Sequence, residues 1–233
     1  MANKYYSIST STPKDAIKAA LLDKYTTGVT INYEGSTDLI FTCSAISDKV
    51  IKLESLGSSY YFYYGDAYVS GTTITNSVQF GGIYTGSMTA IHLILGDSFF
   101  LFNSILSDNS FLVLIGSLTN GEHICYSVVG NSSYTNYVKG YLTDGTGIIL
   151  HSLGAAFNNA GKLYKTPIMF IGSGNAILTN IDGTFATISG LYNISYSSGV
   201  NTILITANSI FTSTNLFLPA SNRQLLTSLY AEF

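Results

Sequence analysis

FLVLIGSLTNGEHICYSVV, residues 111–129, consists of two apolar runs joined by Asn120-Gly121. Asn-Gly between such runs is a strong hairpin signal, because a type I′ turn needs positive φ at both central residues and these two types tolerate it. The stretch just before it, DSFFLFNSILSDNSFLVLIGSL (97–118), is broken by Asn103, Ser104, Ser107, Asp108, Asn109 and Ser110. It therefore reads as two buried strands and a turn, not as a membrane span of about 20 apolar residues. Asp182-Gly183, between NAILTNI and TFATISGLY, repeats the hairpin signal, and Asp144-Gly145 is a weaker third case. Short strands divided by turns at this spacing predict an all-β, mainly antiparallel, sandwich-like fold.

Toward the N-terminus the pattern stays β apart from one helix. Thr12 is placed as N-cap, Pro13 as the first helical residue and Asp15 in a capping-box-like position. KDAIKAALLDKY then puts Ile17, Ala20 and Leu21 on one face, and the helix is expected to end near Tyr25. TGVTINYE (27–34) alternates Val29, Ile31 and Tyr33 with polar residues, as a half-buried strand does. TDLIFTCS, KVIKLES, SYYFYYG, AYVS and TTITNSVQF follow as further strands. HSLGAAFNNAGK reads as an irregular or helical piece, and GSGNAI (172–177) as a turn, since the dinucleotide fingerprint it partly matches lacks its third glycine. The organisation expected is an N-terminal segment and helix (1–25), a β lobe (26–130) and a second lobe or continuation of the same domain (131–233). The boundary falls in the polar stretch GNSSYTNY.

Composition limits the function. Only 10% of the residues are charged while 46% are hydrophobic, with 18 Tyr and 13 Phe, so the polar surface is carried by hydroxyls and amides. An ordinary soluble domain has about 25% charged residues. Such a surface suits lasting burial against partners. Net charge is −3 and no basic residue lies between Lys52 and Lys139. A nucleic-acid binder needs a cationic track, so that class is excluded. No signal-peptide-like stretch opens the chain, and Cys43 and Cys125 read as reduced, buried thiols rather than a bridge.

Catalytic signals are sparse. The three histidines, His92, His123 and His151, have no metal-ligand spacing, and no G-x-S-x-G elbow is present. No catalytic, metal or cofactor residues are assigned. Glu54 and Glu122 are the carboxylates within strand-like runs, and a second acid beside either would reopen a hydrolase reading. The feature with most promise is SSYYFYYG (58–65), five consecutive aromatics. On a strand Tyr60, Phe62 and Tyr64 share one face and Tyr61 and Tyr63 the other. Phe62 is expected in the core. Tyr60, Tyr61, Tyr63 and Tyr64 are candidate interface or ligand residues, with a subunit contact favoured over a glycan platform for Tyr61 and Tyr63. Leu229, Tyr230 and Phe233, in the alternating end LLTSLYAEF, are candidates for a strand that completes its own sheet or a neighbour's.

The helix KDAIKAALLDKY, the Tyr/Ser/Thr/Asn/Gly-rich strands with a single arginine, and the strand-like end LLTSLYAEF together resemble the virion structural proteins of tailed bacteriophages or phage-tail-like particles. That resemblance implies a non-enzymatic component of a tail, baseplate, neck, fibre or capsid surface, partnered by copies of itself and other virion proteins. It places the protein in the virion after assembly in the bacterial cytoplasm. A receptor- or glycan-binding β module on a particle surface, taking a host glycan, is the alternative, and a polysaccharide or cell-wall hydrolase comes third.

Overall fold

In a computed structural model the described residues are 3–56, 59–84, 88–106, 109–131, 137–142, 149–152, 163–171, 177–196 and 229–231. They form an all-β, mainly antiparallel, sandwich-like fold with one helix near the N-terminus. β1 (Lys4–Ile8) precedes α1 (Pro13–Lys24). β2 (Val29–Glu34), β3 (Asp38–Cys43), β4 (Val50–Leu56), β5 (Ser59–Gly65) and β8 (Val78–Tyr84) make a five-stranded sheet in the order β2-β3-β4-β5-β8. β6 (Tyr68–Ser70) and β7 (Thr73–Ile74) form a small hairpin between β5 and β8. β9 (Met88–Leu95), β10 (Phe99–Leu106), β11 (Asn109–Ser117), β12 (His123–Asn131) and β13 (Tyr137–Leu142) join β1 in a six-stranded sheet ordered β1-β9-β10-β11-β12-β13. A four-stranded sheet, β14-β15-β16-β17, contains β14 (Ile149–Ser152), β15 (Leu163–Ile171), β16 (Leu191–Tyr196) and β17 (Leu229–Ala231).

The five- and six-stranded sheets face each other across the main core. Alternation sends Leu39, Phe41, Ile51, Leu53, Phe62 and Phe80 inward from one sheet. Leu93, Phe100, Phe102, Phe111, Val113 and Cys125 come inward from the other. Both cysteines are free and buried, as the sequence suggested. One margin of the sandwich is closed by α1, whose Ile17, Ala20 and Leu21 enter the same core. Thr12 occupies the N-cap position, but its side chain makes no capping bond. At the C-terminal end of α1, Tyr25 donates from its hydroxyl to the Gly96 carbonyl at 2.6 Å, with the Phe99 carbonyl at 3.1 Å. At the opposite margin the sheets approach directly, because a Cβ on Gly81 would already lie 3.2 Å from Phe111 Cζ and 3.3 Å from Val113 Cγ2. There the Ser127 hydroxyl donates to the Phe80 carbonyl.

The six-stranded sheet is buried on its other face as well. Ile94, Phe99, Leu101, Leu112, Leu114, Ile124 and Tyr126 point away from the sandwich core, yet each is at most 1% exposed. This explains why β10 and β11 read as unbroken apolar runs instead of alternating ones. The segment containing Ile188 covers part of this face, since Ile188 Cδ1 lies where a side chain on residue 116 would begin.

Two expectations are corrected. The Asn120-Gly121 turn is not type I′: only Gly121 has positive φ (89°), the Gly121 amide donates to Leu118 O at 2.9 Å and the Leu118 amide to Glu122 O at 2.7 Å. This is a three-residue loop ending in one left-handed glycine, which leaves Asn120 free to bond through its side chain. The Asp182-Gly183 turn is built alike, with Gly183 at φ 82° and bonds from Gly183 N to Asn180 O and from Asn180 N to Thr184 O. Second, Val29, Ile31 and Tyr33 do not share a face. A bulge between Ile31 and Tyr33 opposes Phe41 and Ile40, so Val29 and Ile31 pack on the main core while Tyr33 crosses to the outside. β13 pairs with β12, so residues up to 142 continue the six-stranded sheet, in keeping with the continuation offered as one of the two readings of 131–233. Asp144-Gly145, GSGNAI up to residue 176 and HSLGAAFNNAGK beyond its first two residues lie outside the described residues.

Candidate functional site

β5 separates two environments one residue apart. Tyr60 and Tyr64 are 8% and 4% exposed and lie in the main core with Phe62, so they are not surface residues of this chain. The cause is the period of two: both share parity with Phe62, which meets Phe80, Phe100, Phe102 and Phe111. Tyr61 and Tyr63 point outward and are half-buried. Of the C-terminal candidates, Leu229 and Tyr230 lie in β17, which pairs with β16 and so completes the chain's own sheet. Phe233 lies outside the described residues.

Register assembles the outer face of the five-stranded sheet around Tyr61 and Tyr63. One row runs Asp38, Glu54, Tyr61, Gly82 across β3, β4, β5 and β8. The next runs Ile40, Lys52, Tyr63, Gln79. The second row holds its phase because β8 carries a bulge opposite Phe62 and Tyr63: Phe80 and Gly81 both serve the core, and Gln79 and Gly82 stay outside. The glycine at 82 is required, since a Cβ there would sit 2.7 Å from Tyr61 Cδ1 and 3.0 Å from Gln79 Nε2. The Tyr61 ring and the Gln79 amide thus share the space above the Gly82 backbone.

Beside Tyr61 lies a fixed polar network. Lys52 Nζ is 3.0 Å from Glu54 Oε1 and 3.2 Å from Asp38 Oδ1, and sits 5.4 Å from the centre of the Tyr63 ring. The Tyr63 hydroxyl donates to Glu54 Oε2 at 2.9 Å, and Thr37 Oγ1 donates to Asp38 Oδ2 at 2.7 Å. Asp38 is buried (6% exposed), and its Oδ1 has the ionic contact with Lys52 but no aligned hydrogen bond. Burial alone pushes the Lys52 amine down, yet the carboxylates of Glu54 and Asp38 outweigh it and its pKa lies above the ordinary lysine value. Burial and the Glu54 carboxylate push the Tyr63 phenol up to about 12. At the far end of the rows the β6–β7 hairpin roofs the sheet, with Ile74 packed on Ile40 and Val50 and flanked by Tyr33, Tyr63 and Tyr68. The hairpin covers the Ile40 and Val50 part of the face, and Tyr61 stands half-buried outside that cluster, with the exposed Gln79 beside it.

Glu54 does have a second acid beside it, Asp38, which is its direct cross-strand partner. The Lys52 ammonium bridges the two, so it fills the space between them that a glycosidic oxygen would need. Glu122, by contrast, is exposed at the β11–β12 turn, where Asn120 Nδ2 donates to it at 2.8 Å. Among the histidines, His123 Nδ1 meets Ser117 Oγ at 2.9 Å, and that hydroxyl is also 3.1 Å from the Ala45 carbonyl, which ties the β11–β12 hairpin to the β3–β4 loop. His92 Nδ1 meets the Tyr5 hydroxyl at 2.7 Å, while its Nε2 is buried without a partner, and burial lowers its pKa. The side chain of His151, in β14, is not among those described. Among the described residues no three His, Cys, Asp or Glu are grouped to hold a metal ion.

The two glycine turns found in the sequence meet at one corner. Thr119 Oγ1 donates to Asn180 Oδ1 at 2.9 Å, and Thr119 N donates to Thr187 O at 2.9 Å. Asn180 Nδ2 donates to Thr184 Oγ1 at 2.9 Å, and Asp182 Oδ1 accepts from Thr184 N at 3.0 Å. Every polar side chain at the tip thus holds the turn in shape, and Ile181 projects from it at 109% exposure. Ile177 and Phe185 of the same segment are 43% and 38% exposed.

Sequence reasoning located Tyr61, Tyr63 and Glu54 but missed Tyr33, Asp38, Lys52 and Gln79 as their neighbours. Gly81-Gly82 within a strand was the available signal, because glycine inside a strand marks a bulge or a close approach. No helix among the described residues is long and apolar enough to cross a membrane. No protein-family model, curated protein or solved structure matches the chain.

Proposed function

We propose that this chain is a non-enzymatic building block of a virion or phage-tail-like particle and acts through contacts with other subunits. The observation that carries this reading is the Ile181 tip. A braced turn exposes a β-branched apolar side chain completely, and two further large apolar residues of the segment are exposed beside it. A stiff apolar side chain on a rigid support loses little entropy when it enters a partner's pocket, which is the property of an interface anchor. The low charge of the chain and its hydroxyl-rich surface agree with lasting burial in an assembly. Replacing Ile181 by Asp tests the reading. Because the side chain touches solvent alone, the variant is expected to fold with unchanged thermal stability and to be depleted from purified particles relative to wild type. Equal incorporation of both proteins would overturn the contact assigned to this tip.

A further inference from the structure

We infer that the outer face of the five-stranded sheet around Tyr61 and the exposed Gln79 is a shelf that binds a neutral pyranose. Tyr61 supplies an aromatic surface backed by the Gly82 main chain, and sugar C–H groups pack on such a surface. Around it stand an exposed amide, Gln79, and a carboxylate, Glu54. An amide donates and accepts, and a carboxylate accepts, so together they complement the hydroxyls of a polyol. Glu54 is held by Lys52 and Tyr63 before any ligand arrives, so binding orders little that is not already ordered.

Charge narrows the ligand. The two adjacent rows carry two carboxylates, Asp38 and Glu54, against one ammonium, Lys52, and that ammonium lies within 3.2 Å of both. Among the described residues no cation on this face is left over for an acidic sugar, so uronic and sialic acids are disfavoured. Because Lys52 pairs with both Asp38 and Glu54, the shelf is assigned sugar binding and not cleavage. This site is separate from the Ile181 tip and does not depend on the assembly reading.

Saturation-transfer NMR and calorimetry on the full chain decide the matter, with glucose, galactose and N-acetylglucosamine as neutral probes and glucuronate and sialic acid as anionic ones. At least one neutral sugar is expected to bind with millimolar affinity, and no anionic sugar is expected to match it. Tyr61→Ala should weaken that binding roughly fivefold or more, as loss of a stacked aromatic contact does. Gly82→Ala, which displaces the ring without deleting it, should weaken binding too, while Ile181→Asp should leave it intact. The proposal is overturned by silence from all neutral probes, by stronger anionic binding, or by affinity that survives Tyr61→Ala. It is equally overturned if Tyr61→Ala changes the sedimentation of the chain instead of its sugar binding.

Discussion

Truncating Phe62 and Tyr61 to alanine, one at a time, probes the two faces of β5 separately. Phe62 is 1% exposed, and its ring centre lies 5.4 Å from Phe102, 6.2 Å from Phe80, 6.3 Å from Phe100 and 6.4 Å from Phe111. It joins the two sheets of the sandwich, so no single neighbour can relax into the space it vacates. A buried Phe→Ala change costs about 3–5 kcal/mol, and the four aromatic contacts place Phe62 toward the upper part of that range. Tyr61 is half-buried against Gly82 on the outer face, and its removal should cost no more than about 1 kcal/mol. With a guanidinium m-value of about 4 kcal/mol/M, the midpoint falls by about 1 M for Phe62→Ala and by about 0.2 M for Tyr61→Ala. The chain has no tryptophan, so far-ultraviolet circular dichroism with tyrosine fluorescence is the suitable pair of probes. Equal shifts, or a larger shift for Tyr61→Ala, would refute the reasoning. They would mean that β5 is displaced by one residue, which exchanges its faces.

Two further predictions concern the Gly121 turn and His92, whose Nε2 is buried. Gly121→Ala should cost about 1–2 kcal/mol through backbone strain alone, because φ is +89° and no heavy atom lies within 4 Å of the new Cβ; chemical denaturation measures it, and an unchanged midpoint would contradict the left-handed turn. Burial lowers the folded-state pKa of His92 below its ordinary 6.5, so the unfolded chain binds the proton more readily. The neutral histidine's contribution is therefore complete above pH 6.5 and is lost as pH falls through the folded-state value. Thermal melts of wild type and His92→Gln between pH 8 and 5 should diverge in slope below about 6.5, with wild type the more acid-sensitive; parallel curves would contradict a buried neutral imidazole.

Most of the fold was legible because its signals are local. Asn120-Gly121 and Asp182-Gly183 mark hairpin loops by backbone preference alone, and Thr12-Pro13 with the Ile17/Ala20/Leu21 face marks the helix. Turn type was less legible, since an Asn tolerates positive φ without requiring it, and at Asn120 the side-chain bond to Glu122 accompanies a conformation outside the left-handed region. The outer face of the five-stranded sheet was half legible. Alternation separates Tyr61 from Phe62, but the position of Tyr33 depends on a bulge at Asn32, and that of Gln79 on a bulge at Phe80. A bulge moves every residue beyond it to the other face, so periodicity read through one is inverted. The Asp38–Lys52–Glu54 network lay out of reach for another reason. It depends on which residues stand opposite across two strand pairs, and a single sequence does not state register.

The central claim, that the chain is a building block acting through subunit contacts, is tested most directly by quantitative mass spectrometry of particles purified from the cells that produce it. The account predicts that the chain co-purifies with the particle through successive density gradients, at a fixed copy number that is a multiple of the particle's rotational symmetry. Recovery of the chain only in the free protein fraction, with none in the particles, would contradict it.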